Sequence, residues 1–211
     1  MLIGHYAAAF AARRLAPSAP LPLLFVASQL VDIFWALFVL LGIEKVHVIP
    51  GFTASNPLDL YFMPYTHSLV ATALWALLAT LLYRCYANGT RPGRSALVVG
   101  MVVASHWFCD LLVHKPDLPL GLDGPRVGFG LWDHPYASTA LELGLLWLAI
   151  AFVLPAVADR RGRYLALAVL MSVIQISNLV VPPPATDVGI ALSVLGLYVL
   201  LAALAWRADR A

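Results

Sequence analysis

The stretch SHWFCDLLVH (residues 105–114) sets two histidines and an aspartate in one of the most apolar parts of the chain. His106, Asp110 and His114 recur at i, i+4 and i+8, which puts them on one stripe of an α-helix. Imidazole nitrogen and carboxylate oxygen together form a ligand set for Zn²⁺ or another divalent ion. His106 and Asp110 are one turn apart and can grip one ion or two adjacent ions. His114 lies ~12 Å from His106 along the helix axis, so use of the whole stripe needs more than one metal. His5, Asp32, His67 and Glu142 stand in similarly apolar surroundings and could join the set.

The elements that must position these residues are membrane spans. The 211 residues are 62% hydrophobic and only 11% charged, with a mean hydropathy of +0.86, where soluble domains carry roughly a quarter charged residues. Uncharged runs reach the ~20 residues that cross a bilayer. The expected fold is an all-α, multi-pass transmembrane bundle of six spans, near 21–43, 65–87, 95–114, 137–158, 164–181 and 188–206. A short apolar half-helix, 1–15, precedes them and ends at Arg13 and Arg14. One integral membrane domain, 1–211, is expected, with a metal-site half (1–158) and two scaffold helices (159–211). Gln175 and Asn178 on the fifth span read as partners in hydrogen bonds between helices.

Arg13, Arg14, Arg84, Arg91, Arg94, Arg160, Arg161, Arg163, Arg207 and Arg210 fall on one side of this arrangement. By the positive-inside rule that side is cytoplasmic. Both termini are then cytoplasmic, in a bacterial-type inner (plasma) membrane, and the long loops 44–64 and 115–136 face outward. No signal-peptide pattern opens the sequence, so Met1 is read as the start of the mature chain. The net charge of +2 is spread over loops and makes no nucleic-acid patch. Cys85 and Cys109 have no partner pattern and read as small buried hydrophobes.

Depth ties the candidates together. Asp32 and His106 each lie eleven residues into a span, ~16 Å above its cytoplasmic edge, and His5 lies ~12 Å in. Asp110, His67, Glu142 and His114 continue this polar column toward the outer face. A single membrane histidine is often an interhelical hydrogen-bond partner, and Asp32 alone could pair with Gln29 or a buried serine. Two buried carboxylates with no Lys or Arg at their depth are different. Unpaired buried charge is strongly unfavourable, so the carboxylates are either protonated or neutralised by metal.

The ordered residues His5 (IGHYAAAF), Asp32 (SQLVDIFW), His67 (YTHSLV) and His106/Asp110 (SHWFCDLLVH) resemble the membrane-bound metal-dependent hydrolases described as LexA-binding inner-membrane hydrolases. The resemblance runs over roughly 1–142. The order also resembles the soluble, all-helical zinc-dependent phospholipase C and P1-type nuclease group. It implies a first metal site of Asp32, His67, His106 and Asp110, and a second joining His5 to a bridging Asp110. A third would use His114 and Glu142; its middle place falls on Ser138, a departure from the pattern, with His134 near in sequence. The soluble group's N-terminal tryptophan has no counterpart at Met1.

The expected cofactor is a divalent metal, zinc first, as two or three ions. The expected chemistry is hydrolysis of a phosphate ester of a lipid or lipid-linked substrate by metal-activated water, at a site open to the outer face. Asp110, Glu142, Asp133 and His134 are the candidate catalytic residues, the last three as proton carriers or orienting groups. Trp107 is the tryptophan expected to line the site, and the loop 115–136 with Trp132 reads as a mouth or a connector. The expected partners are membrane lipid, a lipid-type substrate and a second copy of the chain. A divalent metal-ion transporter, a haem or di-iron redox bundle and a non-catalytic membrane partner protein are the alternatives. Elemental analysis of the purified protein is expected to find divalent metal, with His106→Ala and Asp32→Ala depleted of it. Metal content near zero in all three proteins would remove the basis for a metal site.

Overall fold

The computed structural model describes residues 1–87 and 92–210; Arg91 of the basic loop pattern lies outside the described residues. Most of the described chain is helical. α1 (Tyr6–Leu15), α2 (Leu21–Ser28) and α3 (Leu30–Leu40) precede two longer helices, α4 (Leu69–Tyr86) and α5 (Pro92–Val113). α6 (Pro135–Val153), α7 (Arg161–Ser177) and α8 (Asp187–Asp209) complete the bundle.

By length and composition, four helical stretches among the described residues can cross a membrane: Leu69–Tyr86, Gly93–Val113, Pro135–Ser177 and Asp187–Asp209. The bent pair Leu21–Ser28 and Leu30–Leu40 makes five if counted as one span. The expected count of six is not reached on this criterion. The expected span 137–158 and most of 164–181 fall inside Pro135–Ser177, which is not straight. Pro155 lies in a 3-10 segment, Leu154–Arg160, and Val157 leaves helical geometry at φ −130°, ψ 40°. Beyond this break α7 runs back beside α6, so that Trp147 Nε1 donates to Ser172 Oγ at 3.1 Å.

The expected first span is broken as well. α2 and α3 meet at 55°, with Gln29 outside helical geometry at φ −108°, ψ 10°. Within a bilayer such a break is tolerated where the freed backbone groups find partners inside the protein. The half-helix α1 is enclosed rather than peripheral, with Ala9 and Phe10 at 0% exposure. Phe10 packs edge-on against Phe25 of α2 at 5.2 Å and tilted against Tyr164 of α7 at 5.9 Å. The long apolar side chains of α4, among them Leu74, Leu77, Leu78 and Leu81, are exposed. A contiguous apolar face of this kind suits contact with lipid or with another protein. Cys85 is exposed and Cys109 partly buried, and both are free thiols, so only Cys109 approaches the expected buried role.

The loops carry strands that an all-helical reading does not include. β1 (Lys45–Val48) pairs antiparallel with β2 (Leu58–Phe62), with His47 opposite Asp59 and Val48 opposite Leu58. β3 (Leu118–Pro119) pairs with β4 (Arg126–Val127). Both hairpins lie at the end of the bundle where α3 and α5 finish.

The opposite end is tied together by one residue. Asp209, in the last turn of α8, stands where a helix dipole disfavours negative charge. Four donors from other segments offset this. Its carboxylate accepts from Arg13 Nε at 2.9 and 3.1 Å, from Tyr164 Oη at 2.7 Å and from the Leu21 N–H at 2.8 Å. Arg160 donates to the Asp209 carbonyl at 2.7 Å. The side chain is 6% exposed, so Asp209→Ala leaves buried donors unmatched. Thermal unfolding in detergent is expected to register a loss of about 3 kcal/mol, at the lower end for a broken buried ion pair. A variant as stable as the wild type would show the cluster to be energetically idle.

Candidate metal centre

Four structural features bring the ligand set together. The break at Gln29 places Asp32 in the first turn of α3, where the helix dipole favours a carboxylate. The same break leaves the Ser28 carbonyl free to face α5, and His106 Nδ1 donates to it at 2.9 Å. His67 sits just before α4, whose N-cap Ser68 accepts from the Ala71 N–H at 3.0 Å. His114 follows directly on α5, and its carbonyl accepts from the Gly130 N–H at 2.6 Å. That contact needs the loop to turn sharply, which Gly130 does at φ 74°.

The result is a buried cluster of four histidines around two carboxylates. Asp32 Oδ1 lies 3.1 Å from His67 Nε2 and 3.5 Å from His106 Nε2. Asp110 Oδ2 lies 3.2 Å from His106 Nε2 and 3.8 Å from both His67 Nε2 and His114 Nε2. Asp110 Oδ1 faces His5 Nε2 at 3.2 Å and touches the Met1 amino group. His5 stacks on His106 with centroids 3.7 Å apart and planes 8° from parallel. Two groups could each hold an ion: His5, Asp32 and His106; and His67, His106 and Asp110. Both use His106, so they are overlapping parts of one five-residue centre.

The outer nitrogens of three histidines share a pattern. His106 Nδ1 donates to Ser28 O, His67 Nδ1 meets Thr66 Oγ1 at 2.8 Å, and His114 Nδ1 donates to Asp117 Oδ1 at 2.8 Å. In the first and third, a carbonyl or carboxylate acceptor assigns the proton to Nδ1. For His67, the Thr66 hydroxyl donates to Glu44 Oε2 at 2.6 Å, so its oxygen is left to accept from Nδ1. A neutral ring then presents its Nε2 lone pair to the carboxylates, whereas an imidazolium donates from Nε2, as His67 Nε2 is placed to do toward Asp32 Oδ1 at 3.1 Å. His106 Nε2 and both nitrogens of His5 are buried with no hydrogen-bond partner among the described residues. Nitrogen and carboxylate oxygen at 3.1–3.5 Å attract only with a proton or a metal cation between them. Such donors fit a divalent metal.

Glu44 anchors this outer layer. It is 1% exposed and accepts the N–H groups of Tyr65 at 2.8 Å and Thr66 at 2.9 Å, besides the Thr66 hydroxyl. Burial raises the pKa of its carboxyl, although the nearby His67 and these hydrogen bonds pull the other way.

Compared with known proteins, the chain matches no family model, no curated sequence and no solved structure. The resemblance to membrane-bound metal-dependent hydrolases therefore stands on the ordered residues alone.

Beside the cluster lies a cavity of about 380 Å³ lined by Asp32, His67, Asp110, His114, Ser138 and Glu142, among others. Glu142 Oε2 accepts from the Leu2 and Gly4 N–H groups at 2.9 and 3.0 Å, which holds the first residues of the chain against Asp110. His114, Ser138 and Glu142 thus share one wall space, but His134 does not replace the missing ligand at Ser138. His134 and Asp133 are exposed and do not line the cavity. Asp133 instead lies 3.5 Å from Lys115 Nζ. Their nearness to the site in sequence is undone by the turn at Gly130, which points them outward.

Trp107 does not line the cavity but packs behind it, in the apolar cluster of Trp35 and Ile190, with Nε1 donating to Pro119 O at 3.4 Å. Trp35 and Trp132 line the cavity in its place, Trp132 with its ring 4.3 Å from that of His114. Gln29 serves the Leu2 carbonyl at 3.1 Å rather than Asp32. Gln175 lines the cavity, and among the described residues its Oε1 finds no partner on another helix. The cluster also recruits residues that pattern reading passes over: Glu44, Thr66, Asp117 and Tyr198, whose hydroxyl donates to Asp32 Oδ2 at 2.8 Å.

Thr66→Val removes the acceptor that fixes His67, and Thr66→Ser keeps it. Zinc titration of the metal-stripped proteins is expected to show affinity lowered about 10–100-fold in the valine variant, the usual size for loss of an outer-shell partner. The serine variant is expected near wild type. Equal affinity in all three would mean that His67 is not held as a ligand through Thr66.

Proposed function

We propose that this protein is an integral-membrane, metal-dependent hydrolase that cleaves a phosphate ester of a lipid or lipid-linked substrate. The observation that carries the reading is the paired use of three histidines. Each has Nδ1 tied to an outer acceptor and Nε2 turned toward Asp32 or Asp110. Metal-ligating histidines are held in this way, with the outer hydrogen bond fixing tautomer and ring direction. Protons could bridge the same contacts as imidazolium rings or as protonated carboxyls, but two carboxyl protons do not serve the three Nε2 atoms that face Asp32 and Asp110. One or two divalent ions do so with neutral rings.

His67, His106, Asp32 and Asp110 would hold zinc or a similar ion, with His5 and Asp110 Oδ1 at a second position. When bound, such ions lower the pKa of water toward ~7 and stabilise charge on a phosphoryl group. The chain's own residues supply the rest. Asp110 presents its two oxygens to different ligand sets and would fix their spacing. Tyr198 and Thr66 keep Asp32 and His67 in place. Glu142 lines the cavity beside Asp110 and is the carboxylate best placed to take the proton from the attacking water. Water adds to phosphorus, the P–O bond to the leaving alcohol breaks, and the alcohol oxygen takes up a proton.

We further read α6 and α7 as separate spans. With α2–α3 as one broken span this makes six, with the arginine-rich end and both termini cytoplasmic. The centre then opens outward. The Asp209 cluster and the packed Phe10, Phe25 and Tyr164 close the cytoplasmic end, which favours hydrolysis over passage of an ion through the bundle.

Zinc-loaded protein in lipid vesicles is expected to release phosphorylated head groups or inorganic phosphate from a panel of lipid phosphoesters. Asp110→Asn is expected to lower turnover by more than the roughly 10–100-fold typical of outer-shell changes. Metal uptake into sealed vesicles with no ester turnover would replace this reading with a transporter.

A further inference from the structure

The cavity beside the metal centre is not wholly polar, and its apolar side has a direction. Ile190, Val194 and Leu197 of α8 all line it. Their spacing of i, i+4 and i+7 makes one stripe along the helix. Leu192, Val199 and Leu200, on other faces of α8, are exposed at 57%, 71% and 51%, as expected for a lipid-facing surface. At one end of the stripe stands Tyr198, whose hydroxyl bonds Asp32 in the metal centre. At the other end, Pro184 and the residues before it also line the cavity. Between Ile190 and Tyr198 the helix rises ~12 Å.

The wall at this far end is also the outside of the molecule. Leu179 and Val181 line the cavity and are 38% and 59% exposed. A short apolar track therefore runs from the exposed turn at the α7–α8 seam down to Asp32. Both helices lie outside the part of the sequence that carries the hydrolase resemblance.

We propose that this track is the binding site for a hydrocarbon chain of the substrate, admitted from the bilayer through the α7–α8 seam with its polar head leading. This rests on the hydrolase reading and adds to it the residues that take the lipid's alkyl chain and the route by which the chain enters. An apolar stripe facing a cavity that joins the lipid phase to a cluster of charged groups suits a ligand with both kinds of surface. A head group bearing no chain would leave Ile190, Val194 and Leu197 in contact with water.

The test uses p-nitrophenyl alkyl phosphodiesters from methyl to dodecyl, kept below their critical micelle concentrations, with the purified zinc-loaded protein. KM is expected to fall roughly fourfold per added methylene until the ~12 Å track is filled, and then to level off. Val194→Trp, which fills the track, is expected to flatten this dependence. Val194→Ala, which widens it, is expected to restore a gain at longer chains. Leu77→Trp, on the exposed face of α4, is expected to keep the wild-type profile.

A second measurement does not depend on turnover. A decyl phosphate carrying a diazirine on its chain is photolysed with the protein, and the labelled peptides are identified by mass spectrometry. Labels in 179–184 and 190–197, lost in Val194→Trp, support the track. Labels confined to the exposed leucines of α4, or a KM independent of chain length in the wild type, overturn it. Labelling of the track without turnover of any ester would leave the chain site standing and remove the hydrolase reading instead.

Discussion

Asp110 is buried, and Asp32 partly so, within reach of the same histidine nitrogens, and most of the unusual structure in this protein follows from keeping them there. Two carboxylates in an apolar bundle repel each other and lose hydration. Each kind of compensation visible around them has a structural origin. Asp32 sits in the first turn of a helix because α2 and α3 are broken at Gln29. The break also exposes the Ser28 carbonyl that orients His106. A continuous helix through 21–43 would satisfy Ser28 internally and move Asp32 away from a helix start. The irregular backbone is thus part of the centre rather than a defect beside it.

The two ends of the bundle are built differently. At one end Asp209 gathers donors from α1, α2, α7 and the turn before α7, and large aromatic side chains fill the space behind it. At the other end the helices finish early, two hairpins fill in, and a cavity of about 380 Å³ remains. Close packing at one end and open space at the other gives a chamber with one accessible side. Its floor is the His/Asp cluster, and its walls pass from charged to apolar toward the α7–α8 seam.

What could be read from the sequence follows the range of the physical signal. The His106, Asp110 and His114 stripe is local, since i, i+4 spacing on an apolar helix places the side chains whatever the rest of the fold does. His5, Asp32 and His67 are legible through the cost of burial, which acts on each residue wherever it lies. Tyr198 carries neither signal, because a phenol in a membrane helix is ordinary and its partner is 166 residues away. Glu44 and Asp117 lie just past span ends, where carboxylates are common, so nothing marks them as the outer partners of His67 and His114. The break at Gln29 has no proline or glycine at it. Asp133 and His134 mislead for the opposite reason: closeness along the chain says nothing of direction after a left-handed turn at Gly130.

The two carboxylates are not equivalent, and the difference gives each a role. Asp32 offers Oδ1 to His67 and His106 but gives Oδ2 to the Tyr198 hydroxyl. It has one oxygen for the centre and is held rigidly by the other. Asp110 has both oxygens inside: Oδ1 toward His5 and the Met1 amino group, Oδ2 toward His106, His67 and His114. A carboxylate used in this way joins two neighbouring positions and sets the distance between them, whereas one anchored through a phenol defines a single position. Removing the tyrosine hydroxyl would loosen one ligand. Removing the second oxygen of Asp110 would separate the two halves of the cluster.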